Sequence, residues 1–213
     1  MLICWQNGYI WLILLWLCTT TDALCPSYCT CKQDDRGKRK VSCLKGGMTQ
    51  IPTIEIDAST EVLEIDAQEN ITNTLTISPI FQQLKRLEEV IIRRSNIHQL
   101  GMHSFWGVPT IKFMDFKFNK ISSVSDHNFR GLVNLVELNL DHNQISILQS
   151  GVFKHLTELR ILSLRYNLLA ELVPRMFMKL GKLHVLRLSG NSFDELDPEA
   201  FKDIPVSSQS IKT

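Results

Sequence analysis

The sequence predicts a solenoid of the α/β type, in which short parallel strands line one concave sheet and brief return segments form the convex side. Two observations predict the coil. The spelling Leu135-x-x-Leu138-x-Leu140-x-x-Asn143-x-Ile145 recurs from Leu159 and from Leu183, offset by 24 residues each time with no residue gained or lost. Phe81, Phe105, Phe129, Phe153, Phe177 and Phe201 also fall 24 apart, as do Leu84, Val108, Leu132, Leu156, Leu180 and Ile204. Equal spacing of this kind stacks each position under its counterpart in the next turn, so the aromatics form a phenylalanine spine. A third observation sets the character of the convex side. Return segments such as residues 150–156 carry no apolar stripe at helical spacing, which predicts irregular or 3₁₀ structure rather than full helices.

Residues 1–23 differ from the rest. Ile10 through Leu17 is an unbroken apolar run, followed by Thr19, Thr20, Thr21, Asp22 and Ala23. The run is too short for an ordinary span and ends in small residues, so it reads as a secretory signal peptide cut ahead of Leu24. No Lys or Arg precedes it, and the alternative is an uncleaved membrane anchor. No later segment is apolar for long enough to cross a bilayer. The expected product is therefore secreted into the extracellular space.

Cys4 and Cys18 would leave with that peptide. Cys25, Cys29, Cys31 and Cys43 remain, separated by three, one and eleven residues around a basic, hairpin-like stretch. Zinc sites commonly use paired C-x-x-C spacings in a reducing compartment, whereas clustered cysteines behind a leader favour two disulfides. Four cysteines allow three connectivities, and spacing does not choose among them.

Cys25-Pro26-x-x-Cys29-x-Cys31 through Cys43, then Ile51-Pro52, then the repeated leucine spelling, resembles the extracellular leucine-rich-repeat proteins with a cysteine-rich N-terminal cap. That group includes Toll-like receptors, Slit, Kekkon-type receptors and small leucine-rich proteoglycans. The resemblance implies a right-handed coil, Cys25–Cys31 and Cys29–Cys43 bridges, and a cap strand at Lys40-Val41-Ser42 that pairs onto the first repeat. It also implies a role in binding extracellular proteins, in adhesion or receptor-type signalling. It does not identify a member or a ligand.

The organisation that follows is a cap over residues 24–58, about six repeats over 59–205 and a polar tail over 206–213. Repeat strands are expected at Val62–Ile65, Val90–Ile92, Met114–Phe116, Leu138–Leu140, Leu162–Leu164 and Leu186–Leu188, none longer because a 24-residue turn leaves no room. Leu63 to Val90 is 27 residues, so three extra residues lie between Asp66 and Ser78, beside the sequon Asn70-Ile71-Thr72. Asn70 is thus a candidate glycan site on a bulging loop. Asn119, Asn143, Asn167 and Asn191 stand where the chain leaves the strand, and a stacked amide there can donate and accept along the coil. Gln68 and Ser95 replace it in the first two turns, which are expected to be less regular.

The step of 24 from Leu183 lands on Ser207, so the repeat is expected to stop there, without a C-terminal cysteine cap. A final turn left bare would expose apolar side chains and strand backbone, an opening for association with a second copy. The polar tail favours a fragment or isoform of a longer protein, and the alternative is an end covered by a partner or a second copy.

Side chains alternating with the inward leucines form columns on the concave face. One reads Glu64, Ile91, Asp115, Asn139, Ser163, Arg187; another Asp66, Arg93, Lys117, Asp141, Arg165, Ser189; a third Val62, Glu89, Phe113, Glu137, Ile161, Val185. One step later stand Arg94, Phe118, His142 and Tyr166. Aromatics and arginines dominate protein-binding energies, so a protein-binding patch is expected over Ile91, Arg93, Phe113, Lys117, Phe118, His142, Arg165, Tyr166 and Arg187. The competing reading is that these side chains only pack on one another, with charges alternating for solubility.

Other classes find little support. A net charge of +1 gives no basic excess for nucleic acid. The histidines are scattered, with no His-x-x-x-His pair, nucleophile elbow or phosphate loop, and His142 beside Asp141 reads as a surface pair rather than a base. Neither catalysis nor a cofactor or metal is expected. A matrix or self-associating protein is the alternative to an adhesion or receptor module.

Overall fold

Each inward column of the sequence becomes one layer of a stack in the computed structural model, which describes residues 24–67 and 71–205, and the backbone of 210–212. The leader at 1–23, Gln68 and the sequon asparagine Asn70 lie outside the described residues. The strands are β1 (Thr30–Gln33), β2 (Arg39–Cys43), β3 (Val62–Asp66), β4 (Glu89–Arg93), β5 (Phe113–Asp115), β6 (Glu137–Asn139), β7 (Ile161–Ser163), β8 (Val185–Arg187) and β9 (Ser210–Lys212). They form one nine-stranded sheet in sequence order. The first pair is antiparallel and every later pair is parallel.

The register carries Val62, Glu89, Phe113, Glu137, Ile161 and Val185 into one row. Leu63, Val90, Met114, Leu138, Leu162 and Leu186 form the row beneath, almost wholly buried. Phe81 through Phe177 in the aromatic column are fully buried. Their rings meet in pairs, Phe81 with Phe105 at 5.3 Å, Phe129 with Phe153 at 5.6 Å and Phe177 with Phe201 at 5.9 Å between centroids. Among the described residues the convex side has 3₁₀ turns at Thr53–Glu55, Phe81–Gln83, Asp126–Asn128 and Pro198–Phe201, and no α-helix.

The N-terminal end is closed by the cap. Cys25 is bonded to Cys31 and Cys29 to Cys43, the pairing that the resemblance implies. Val41 and Cys43 on β2, with Met48, Ile51 and Ile56, join the same apolar cluster as the repeats. The cap thus covers an end that would otherwise face water.

The asparagine column forms a ladder in which every amide links two turns. Asn143 Oδ1 accepts from the Ile121 N–H at 3.0 Å, while its Nδ2 donates to the Phe116 and Leu140 carbonyls, both at 3.0 Å. Asn119, Asn167 and Asn191 repeat the arrangement one turn earlier and one and two turns later. In the first turns Asn73 takes over: its Oδ1 accepts from the Met48 N–H at 2.9 Å and its Nδ2 donates to Ser95 Oγ at 3.0 Å. Asn73-Thr74-Leu75 has the spacing of Asn143-Gln144-Ile145. The inserted residues therefore fall before Asn73 and are partly offset by a shorter run from Leu75 to Phe81.

Three expectations are corrected. Strands β3 and β4 are five residues long rather than three or four and pair over five positions, beside the five-residue cap strand β2, which pairs with β3 over four. The first two turns are for that reason the most extensively paired, although their asparagine is displaced. The coil also does not stop before residue 207. Ser210, Ile211 and Lys212 pair with Val185, Leu186 and Arg187, a step of 25 rather than 24 from Leu186 to Ile211. Backbone pairing tolerates the polar side chains on which the sequence reading relied, and β8 is not left as an unpaired strand.

Candidate functional site: the concave face and its aromatic column

At the end of each short strand the chain must turn sharply away from the sheet, and the residue that makes the turn adopts a left-handed backbone. Arg94, Phe118, His142 and Tyr166 hold φ values of 45, 59, 53 and 53°, and Gly190 continues the column at 77°. The turn is held from the next coil: Phe118, His142 and Tyr166 donate their N–H groups to the carbonyls of Asp141, Arg165 and Ser189. Their side chains are thereby aimed outward and over one another. Phe118 stacks on His142 with centroids 4.5 Å apart, and His142 on Tyr166 at 4.4 Å. Arg94 lies 6.0 Å and Lys117 5.8 Å from the Phe118 ring centre. Phe118 and Tyr166 are 41% and 54% exposed, so the stack is a ridge on the lip of the sheet and not part of the core.

His142 and Asp141 are not the surface pair their adjacency suggested. Asp141 is buried and accepts from the Arg165 N–H at 2.7 Å and from its Nε at 3.1 Å, while His142 belongs to the rings.

On the sheet itself, the first half of the face neutralises its own charge. The cap hairpin reaches across β3, placing Arg36 2.7 Å from Glu89 and Lys38 2.8–2.9 Å from Glu89 and Glu88. Lys40 pairs with Glu64, Arg94 with Asp66, and Arg93 with Asp115 at 2.6 Å. Ile91 is half-buried in the row between Glu64 and Asp115. Hydrogen bonds from Lys38 and Lys112 hold the Glu88 carboxyl below its ordinary range. Burial pushes Glu89 up, but the bonds from Arg36 and Lys38 prevail and lower it. Burial raises Asp66 in spite of Arg94 and Arg93.

The second half is different. Phe113, Ile161 and Val185 are half-buried apolar side chains, with Glu137 among them and Arg187 in the neighbouring row. Burial raises the Glu137 pKa, opposed by the Arg187 charge and aided by that of Asp115.

The structure therefore brings Phe118, His142 and Tyr166 into contact and leaves Phe113 on the sheet beside Glu137. It commits Arg93 and Arg165 to internal ion pairs. Column reading missed the links between the cap and Glu88 and Glu89, since they span about fifty positions of sequence. It also missed the isolation of Glu137, although the order Phe113, Glu137, Ile161 in one column carried that signal. No group of three or more His, Cys, Asp or Glu side chains among the described residues is placed to hold a metal ion.

Comparison with known proteins gives concordant results. The family profile described as leucine rich repeat matches residues 85–145 and 134–193. A curated relative, leucine-rich repeat-containing protein 3B of Danio rerio, is 26% identical over 118 residues, covering 53% of this chain and 43% of its own. Among solved structures, the TLR13–ssRNA13 complex superposes with a TM-score of 0.66 at 22% identity, over 73% of this chain and 22% of the other. A leucine-rich-repeat protein of Leptospira interrogans gives 0.56 at 25% identity, over 69% and 36%. The chain thus spans less than half the length of each of these three proteins.

Proposed function

The chain belongs to the leucine-rich repeat family, and from that premise we propose that it is an extracellular protein-binding module acting in cell adhesion or receptor-type signalling. The observation that carries the reading is the exposed ring stack on left-handed backbone. A non-glycine residue costs roughly 1–2 kcal/mol in that conformation. Three such placements cost more than two ring stacks return, at about 0.5–1.5 kcal/mol each. Gly190 shows that the turn itself asks only for glycine. Rings kept where the fold does not need them, at the edge of a rigid sheet, fit a binding role.

The two cap disulfides fit an oxidising compartment and hence secretion. Nucleic acid is a poor partner for this face, because Arg36, Lys38, Lys40, Arg93, Arg94 and Arg165 already pair with carboxylates. The family is one of interaction modules, and no catalytic role is proposed.

The test replaces Phe118 and Tyr166 by Ala, singly and together, and measures binding to extracellular protein arrays alongside melting. Lost binding with a melting temperature within a few degrees supports the reading. Lost stability with unchanged binding reduces the stack to packing. Concentration-dependent light scattering of the purified chain separates a monomeric receptor from a self-associating matrix protein.

A further inference from the structure

Among the described residues, every carboxylate on the concave face has an ion-pair partner within the chain except one. Glu64 has Lys40 and Ser42, Asp66 has Arg94, Glu88 and Glu89 have Lys38 and Arg36, Asp115 has Arg93, and Asp141 has Arg165. Glu137 has neither an ion pair nor a hydrogen bond among the described residues. Its register neighbours are apolar on both sides, Phe113 on β5 and Ile161 on β7. Adjacent strands lie about 4.8 Å apart, so these side chains flank the carboxylate directly and thin the water around it.

We propose that Glu137, with Phe113 and Ile161 as its walls, receives a lysine or arginine side chain of the protein ligand. This deepens the concave-face reading and rests on it. Charge complementarity names the occupant: a half-buried carboxylate between apolar walls is poorly solvated, and an incoming cation restores a partner while its methylene stem lies on Phe113 and Ile161. The Phe113 ring favours arginine, whose planar guanidinium stacks on an aromatic face. Position is fixed as well. Arg187, two strands further on, repels a cation that moves toward β8, and Asp115 on β5 is already taken by Arg93. The burial that raises the Glu137 pKa is consistent with a carboxylate waiting for a cation.

The test uses a library of disulfide-constrained peptides displayed on phage and selected on the full chain, with chosen peptides then synthesised for calorimetry. Expected are peptides that share an arginine or lysine. Replacing that residue by citrulline or norleucine weakens binding about tenfold or more on the native chain and has little effect on Glu137→Gln. Binders that weaken on Phe113→Ala but are indifferent to Glu137→Gln and carry no shared basic residue overturn the inference and leave the concave-face reading standing. Binders indifferent to Phe113→Ala and to the Phe118 and Tyr166 substitutions alike overturn both. Glu137→Gln keeps the shape of the side chain and is not expected to unfold the coil, which far-ultraviolet dichroism checks in the same samples.

Discussion

The ring of Tyr166 occupies the space that a side chain at residue 190 would need: a Cβ built on Gly190 falls 2.5 Å from Tyr166 Cδ1 and 2.8 Å from Cε1. The aromatic column thus ends on a glycine that admits it. Gly190→Ala should both strain a backbone at φ 77° and push the ring out of its stack on His142. The conformational part is worth roughly 1–2 kcal/mol. The double substitution Tyr166→Ala with Gly190→Ala should cost less than the sum of the two single changes, because the clash is gone. Denaturant unfolding of the four proteins measures it, and simple additivity would show that the ring is not held there.

The asparagine ladder makes a sharper demand. Asn143→Ala strands the Ile121 N–H in a buried layer and removes one of two amide donors from each of the Phe116 and Leu140 carbonyls, which keep Asn119 and Asn167. The stranded N–H costs about 1–3 kcal/mol and each lost carbonyl bond about 0.5–1.5 kcal/mol, and local relaxation recovers part, so a loss of roughly 2–4 kcal/mol is expected. Ser95→Ala should cost less. Its Oγ accepts from Asn73 and donates to the Arg93 carbonyl, so removal breaks two bonds rather than three. Urea midpoints at constant slope give the comparison, and equal losses would contradict the ladder as described.

Charge on the first half of the face gives a pH signature. Glu88 and Glu89 titrate below their ordinary range in the fold. Their stability is therefore present above the unfolded carboxylate pKa and is lost as pH falls through the lowered values. Asp66 and Glu137 are raised, so they act in reverse: their contribution is present below the unfolded value and is lost as pH rises through the folded one. Glu89→Gln should flatten the loss of stability between about pH 5 and pH 3, where ordinary carboxylates titrate. Glu137→Gln should leave that acid limb in place and relieve destabilisation near neutral pH. Melting temperatures across the range decide, and identical profiles for both variants would refute the assignment.

These same residues show what the sequence could and could not reveal. Phe105, Leu138 and Asn143 were legible because a solenoid writes each structural role at one fixed spacing, so period alone gives core and register. The column Phe118, His142, Tyr166 was legible for the same reason, but its left-handed backbone and face-to-face stacking were not, since nothing in residue type foretells aromatic rings at positive φ. Asn73 was hidden because insertion broke the period around it, and the role passed to a residue five positions beyond Gln68. Strand β9 was hidden because hydrophobic periodicity reports buried side chains, whereas a strand at the end of a sheet is held through its backbone. The ion pairs from Arg36 and Lys38 to Glu89 depend on the fold of the cap hairpin, which short-range pattern does not encode.

The cap provides the last prediction, because its two bridges are unequal. Cys29–Cys43 spans 14 residues of sequence and Cys25–Cys31 spans 6. Loop closure alone favours the longer bridge by roughly 0.8 kcal/mol. Cys43 is also buried in the core end of β2, whereas Cys25 is exposed. Replacing Cys29 and Cys43 together by Ala should therefore cost more than replacing Cys25 and Cys31, within the usual span of about 2–5 kcal/mol per bridge. The damage should also have a direction. In a solenoid each turn is supported chiefly by its neighbours, so losing the grip on β2 exposes β3 first and distant turns last. Amide exchange should accelerate most at Val62–Asp66, less at Phe113–Asp115 and least at Ile161–Ser163. Uniform acceleration along all three strands would mean that the coil unfolds as one unit and that the cap does not act as an end plug.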